Sequence, residues 1–280
     1  MRDGYWAIRT YEAGPVGEKI KFWVPGQKPV GKLTRKQKSD IRKAAQNEYA
    51  ATRQLARLIN ANFQPGDLFL GLDYSEEAHL RLEMAAFGGG QKRIATASLR
   101  TGLAMTDRNK SILTEGQRME AIREAAAHEL VNCIRRVKRE LDREGIELKY
   151  VSITSDMDGE TGEAVRVHHH LVINREAREA FLHKWQEKGM GGVDWKPLDK
   201  QDDYYGVAEY MVKQVRKQAE ENQFASSRNL VRPKPKDRVV ASAAEVRVPK
   251  GCRLLHRQEY KPGKAQYIRY RIEKDLKDSA

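Results

Sequence analysis

Cysteine is nearly absent from this chain: there are two in 280 residues, Cys133 and Cys252. Neither belongs to a CxxC pair, so a zinc or thiol-redox motif of that kind is excluded. A disulfide-free protein of a reducing compartment is expected, with the cytoplasm as its location. Long apolar runs are lacking too. None approaches the roughly 20 residues that a membrane helix needs, so no membrane partner is expected. The opening Met1-Arg2-Asp3-Gly4-Tyr5-Trp6 has no apolar signal-peptide core. No GxxxxGK[ST] loop occurs, which removes the usual cradle for ATP phosphates. Internal repeats are missing as well. What remains is 40% hydrophobic and 32% charged residues, a globular balance with a polar surface.

Positive charge is abundant and unevenly placed. The formal net charge is +13. Residues 1–63 hold 13 Lys/Arg against 5 Asp/Glu, and residues 228–280 hold 15 against 6. The middle, 64–227, holds 24 against 28. Two basic flanks around a near-neutral centre suit contact with phosphate backbones on either side of a chemical site.

The pattern along the chain predicts an α+β fold, a central antiparallel sheet with flanking helices. Three regions follow: a basic N-terminal arm and helix over 1–63, a central domain over 64–225, and a basic C-terminal tail over 226–280. Residues 1–33 are rich in Gly and Pro and read as a loop-rich arm. Thr34 with Gln37 fits a capping box, opening a helix that runs to about Asn62. Leu68 to Tyr74 reads as a strand. Gly88-Gly89-Gly90 marks a flexible connection. Thr114 with Gln117 forms a second capping box, and Ile122, Ala126, Leu130, Ile134, Val137 and Leu141 keep helical spacing until Gly145. Leu148–Thr154 and Val165–Ile173 read as the two strands of an antiparallel hairpin. Asn174 caps a helix through Trp185, and Val193–Trp195 is a short strand. Asp203 opens a helix to roughly Glu221. The tail reads as extended or irregular structure lying on a partner surface.

The chemistry concentrates at His168-His169-His170. Side chains alternate in a strand, so His168 and His170 share one face with Val172. Val167, His169, Leu171 and Ile173 face the other way, toward helices. Two imidazoles on one rigid strand can ligate a divalent cation and leave positions open for phosphate oxygens. The competing reading is a polar start to a buried strand.

Tyr210 follows on the later helix. A phenol titrates near pH 10 and is a poor nucleophile at pH 7 unless a cation favours its ionised form. Lys213 and Lys217 lie on its helical face, and Gly206 leaves room for an approaching strand. Taken alone, the residue also fits a core tyrosine of an amphipathic helix.

The histidine pair and the later Tyr210-Met211-Val212-Lys213 resemble the HUH endonucleases, in which two strand histidines flank one position and a YxxK helix follows. Closest in order and length are the rolling-circle replication initiators of bacterial plasmids and phages. Leu58–Tyr74, Tyr204–Gln214 and Ser227-Arg228-Asn229-Leu230-Val231-Arg232-Pro233 extend the resemblance over about 55–240. It implies a ferredoxin- or RRM-like nuclease core with Mg²⁺ or Mn²⁺ on His168 and His170. Tyr210 would be the nucleophile, supported by Lys213. Arg216, Lys217, Arg228 and Arg232 would contact nucleic acid.

The departures from the family pattern are specific. Gly71 and Asp73 replace the usual threonines of the first strand, and His169 replaces an apolar residue. Where relatives place a third metal-binding glutamate, this chain has Ser155 and Asp156; Asp156 is the first candidate and Asp73 the second. The expected reaction is nicking and joining of single-stranded origin DNA through a 5′-phosphotyrosine, with a host polymerase and helicase as partners. Relaxases carry the tyrosine before the histidines, and the HUH transposases are shorter. A non-catalytic, site-specific DNA- or RNA-binding protein is the alternative from a different class.

Overall fold

The structure is a computed structural model that describes residues 4–26, 51–87, 114–215, 224–241, 244–260 and 265–273. It is α+β, as the sequence pattern predicts, with two antiparallel five-stranded sheets. Two compact units hold one sheet each. The first comprises residues 1–64, 200–209 and 229–280, and the second 65–199 and 210–228.

The second unit is built on strands β3 (Leu68–Asp73), β4 (Tyr150–Met157), β5 (Ala164–Ile173), β6 (Val193–Pro197) and β7 (Ala225–Ser226), in the order β6-β3-β5-β4-β7. Helices α2 (Glu76–Phe87), α3 (Glu115–Arg143) and α4 (Arg178–Gln186) pack on one face of this sheet. Leu70 and Leu72 of β3 and Val167, Leu171 and Ile173 of β5 meet Leu130, Val137, Phe181 and Trp185 there. Each large apolar side chain so buried contributes roughly 1.5–3 kcal/mol. That burial fixes which way β5 faces, because a slip of one residue would turn the whole set outward.

Both ends of α3 are closed by local chemistry. Thr114 accepts the Gln117 N–H at 3.3 Å, and the Gln117 side chain accepts the Thr114 N–H at 3.0 Å, a complete capping box. At the other end Ile146 N–H donates to Leu141 O at 2.9 Å and Gly145 N–H to Asp142 O at 3.3 Å. Gly145, at φ +71°, supplies the left-handed turn this Schellman closure needs. One element went unsignalled and one local expectation needs correction. Helix α2 was not signalled, since only Ala78, Leu82 and Ala86 of its residues are buried and no long stripe forms. Asn174 does not cap with its side chain: it leads into a 3₁₀ turn, Arg175–Ala177, while its Oδ1 accepts the Lys149 N–H at 2.8 Å.

The first unit overturns the reading of both flanks. Residues 4–25 are not a loop-rich arm but a hairpin, β1 (Gly4–Ala13) and β2 (Val16–Pro25). The tail contributes β8 (Lys236–Val240), β9 (Cys252–Tyr260) and β10 (Ala265–Ile272), giving the order β8-β1-β2-β10-β9. The regions 1–63 and 226–280 therefore share one sheet. Their pairing is invisible locally, because β1 meets β8 more than two hundred residues away. Helix α1 (Ala51–Asn62) packs against one face of this sheet; its expected start near Thr34 lies outside the described residues. Arg57 donates twice to Glu18, at 2.7 and 2.8 Å, and its guanidinium stacks 3.7 Å from the centroid of Tyr11. Gly14, at φ +57°, turns the hairpin, and a Cβ there would stand 2.2 Å from Asn60 O.

Helix α5 (Tyr205–Lys213) contains the boundary between the units, and Asp203 Oδ1 accepts the Tyr205 N–H at 3.0 Å. It ends eight residues before the expected Glu221. No helix among the described residues is long and apolar enough to cross a membrane.

Candidate metal and nucleophile site

The site lies on the face of the second sheet opposite its helical core. Strand register places Gly71 of β3 and Ile153 of β4 beside His170, and Asp73 and Ser155 beside His168. Alternation along β5 separates the three histidines as the sequence predicts. His169 is fully buried on the helical side. Tyr74 Oη stands 2.7 Å from its Nε2 and Thr154 Oγ1 3.0 Å from its Nδ1, so both ring nitrogens are satisfied. Trp185 packs edge-on against the ring. Burial is the main reason the His169 pKa falls to about 3, with His168 and His170 adding repulsion. His169 is a neutral structural residue.

On the other face the imidazoles converge. His168 Nε2 lies 3.0 Å and His170 Nε2 2.8 Å from a single atom, Gln214 Oε1. His168 Nδ1 donates to the Arg166 carbonyl at 3.0 Å. In the neutral ring this leaves the Nε2 lone pair directed at the amide oxygen, a tautomer assigned from the acceptor-only carbonyl. Such a backbone bond to the remote nitrogen is the usual way a metal-binding histidine is oriented. Burial lowers the His170 pKa to about 4, with His168 next in effect. It is therefore neutral at pH 7, the form that ligates metals.

Both imidazole nitrogens thus point at one atom, the Gln214 amide oxygen. Adjacent ligands of an octahedral ion with bonds of about 2.1 Å stand about 3.0 Å apart, which the two nitrogen–oxygen separations match. Two imidazoles and an amide oxygen carry no charge; of the two expected ions, Mn²⁺ accepts such nitrogen donors more readily than Mg²⁺. The cation's charge would then be left for phosphate oxygens. Among the described residues no group of three or more His, Cys, Asp or Glu side chains is placed to hold a metal. Asp156, the first candidate for third ligand, is buried at a bulge between Ser155 and Met157. Asp73 pairs in register with His168 but is exposed at the strand end.

Gln214 meets strand β4 and the turn that follows it. Ser155 Oγ donates to the Gln214 carbonyl at 2.6 Å. Gly159, in the β4–β5 turn, leaves space that a Cβ would take at 2.8 Å from Gln214 Cγ. The sequence does carry a signal for Gln214: it follows Tyr210 by four residues, one helical turn along the same face.

Tyr210 is 47% exposed, and its ring centroid stands 5.3 Å from that of His170 and 5.9 Å from that of Phe69. Phe69 in turn stacks on His170 at 5.3 Å and 24°. Met211, fully buried, anchors the helix beneath the exposed tyrosine. Lys213 is exposed in the last turn, its Cβ near Gly159. Lys196 of β6, beside Phe69 in register, brings a further cation to this face, with Nζ 5.5 Å from the Phe69 centroid.

Four residues were candidates for nucleic-acid contact. Arg216 and Lys217 lie outside the described residues. Arg228 is exposed and acts on Tyr150, five residues along β4 from Ser155, roughly 17 Å at strand spacing. Arg232 belongs to the first unit. No protein-family model, curated protein or solved structure matches the chain.

Proposed function

We propose that the second unit is a metal-dependent phosphodiester transferase with Tyr210 as its nucleophile. More particularly, it is a single-strand DNA nicking and joining endonuclease of the HUH kind that initiates rolling-circle replication. The observation that carries this reading is the convergence of His168 Nε2 and His170 Nε2 on Gln214 Oε1, with the Tyr210 ring 5.3 Å from His170.

His168, His170 and Gln214 would hold Mg²⁺ or Mn²⁺. Bound there, the ion would polarise the scissile phosphate. Tyr210 Oη loses its proton to solvent and attacks phosphorus in line. The bond to the 3′ oxygen breaks, and that oxygen takes up a proton as a free hydroxyl. Tyr210 is left esterified to the 5′-phosphate. The ester keeps the phosphodiester bond's energy, so the reverse attack rejoins the ends without ATP. Lys213, one turn along from Tyr210, and Lys196 favour negative charge on this face. The released 3′-hydroxyl would serve a host polymerase, and strand separation would fall to a host helicase.

The test is incubation of labelled single-stranded origin DNA with the protein and Mn²⁺. A covalent adduct is expected, lost in Tyr210→Phe and in His170→Ala. An adduct that survives Tyr210→Phe but not Tyr205→Phe moves the nucleophile and overturns the assignment. Specific binding with no adduct under any metal makes the chain a binding module.

A further inference from the structure

The first unit carries a second concentration of chemistry on the sheet face turned away from α1. Register sets three rows across β1 and β2 on that face: Trp6 beside Trp23, Ile8 beside Lys21, and Thr10 beside Lys19. Strand β8 extends the rows with Val240, Arg238 and Lys236. A cleft of about 460 Å³ opens between β8, β1 and the segment 245–247, lined by Lys19, Lys236, Arg238 and Arg247 among others. That volume falls within the roughly 300–1,000 Å³ of small-ligand clefts. Its far wall is fixed, because Lys21 Nζ donates to Ala244 O at 2.7 Å and Lys19 Nζ to Arg247 O at 3.0 Å.

The cleft is lined by four cations against two carboxylates, and Lys236 also pairs with Glu12 at 3.3 Å. Of its two carboxylates, Asp237 is engaged by Arg9 through two bonds of 2.7 and 2.9 Å. Glu245 stands 3.8 Å from Arg247. Among the described residues no carboxylate pairs with Arg238. Burial, and then Arg238, lowers the pKa of Lys19.

The tryptophans form the next row on the same face, beside the row of Lys21 and Arg238. Trp23 is 39% exposed, and its indole lies over Gly4, where a Cβ would come 2.3 Å from Cζ2. Trp6 meets it edge-on at 5.5 Å, and Lys21 Nζ holds Trp6 from 4.8 Å. Cations that track a backbone beside an aromatic platform match a polyanion with unstacked bases.

We propose that this face binds single-stranded DNA, with Trp23 stacking on a base and Lys19, Arg238 and Arg247 contacting phosphates in the cleft. The site is distinct from the histidine site and does not depend on Tyr210 chemistry.

The test uses the full chain carrying Tyr210→Phe, in EDTA, so that neither cleavage nor metal contributes. Fluorescence anisotropy reads binding of labelled oligo(dT), and thermal melting checks folding. The pair Arg238→Glu and Arg247→Glu is expected to weaken binding at least about tenfold and to flatten the dependence on salt, since each lost phosphate contact removes about 0.7 from the log–log slope. Trp23→Ala is expected to weaken it roughly five- to hundredfold, with Trp23→Phe recovering part of the loss. Unchanged affinity in these variants overturns the proposal. Displacement of oligo(dT) by millimolar inorganic phosphate, or duplex binding as tight and indifferent to Trp23→Ala, also overturns it in favour of a general anion cleft. A chain that forms no Tyr210 adduct yet shows the expected losses keeps this site; one that forms the adduct with unaltered oligo(dT) affinity lacks it.

Discussion

Gln214 ties the end of the Tyr210 helix to the histidine strand with one oxygen, and its substitution separates ligation from packing. Gln214→Leu should weaken Mn²⁺ binding about ten- to hundredfold, by analogy with the loss of groups supporting a metal site. Gln214→Glu adds a charge to an uncharged donor set and should tighten binding. Isothermal titration with Mn²⁺ distinguishes these, and equal affinity in all three proteins would remove the amide from the site. In the first unit, Glu18 and Arg57 are both buried, so Glu18→Gln leaves a charge without its partner. A loss of about 3–5 kcal/mol is expected, read by denaturant unfolding. At this scale the sequence was legible where one period governs. The alternation of β5 assigned His168, His169 and His170 to their faces. It could not supply Gln214 as a donor, because that role depends on where a helix end lands against two strands.

The elements carry signals of unequal clarity. Helix α3 was readable at both ends because its stops are local: Thr114 and Gln117 at the start, Gly145 at the finish. Thr114→Ala should therefore lower stability by about 1 kcal/mol, measured as a shift in unfolding midpoint without a change in slope. Helix α2 was not readable, because three small contacts replace a stripe. Just past the end of α5, Ser155 donates to Gln214 O from another element, a contact that no helical pattern encodes. The β4–β5 turn is part of the site through Gly159. Gly159→Ala should push Gln214 Cγ aside and reduce Mn²⁺ affinity severalfold while the melting temperature holds; a preserved affinity would show that the side chain adapts in place.

At the scale of the whole molecule, charge and topology diverge. The basic flanks were evident from composition, but their union in one sheet was not, since β1–β8 and β2–β10 pair across the entire central unit. The tail is thus three of five strands. Truncation after Arg228 should dismantle the first sheet, since an isolated hairpin is marginal in water. Limited proteolysis is expected to digest β1 and β2 in that truncated chain while sparing a fragment covering 65–228. Persistence of a protected N-terminal hairpin would contradict the shared sheet.

The same topology sets an order on synthesis. When β2 is complete, its neighbour β10 and β1's neighbour β8 have not been made. About 210 residues separate the end of β2 from the start of β8, about 10–40 s of translation at ~5–20 residues per second. The central unit can finish folding during that interval. The tryptophan-bearing hairpin must instead wait with both edges open, so slower translation would prolong the period in which those edges are unpaired.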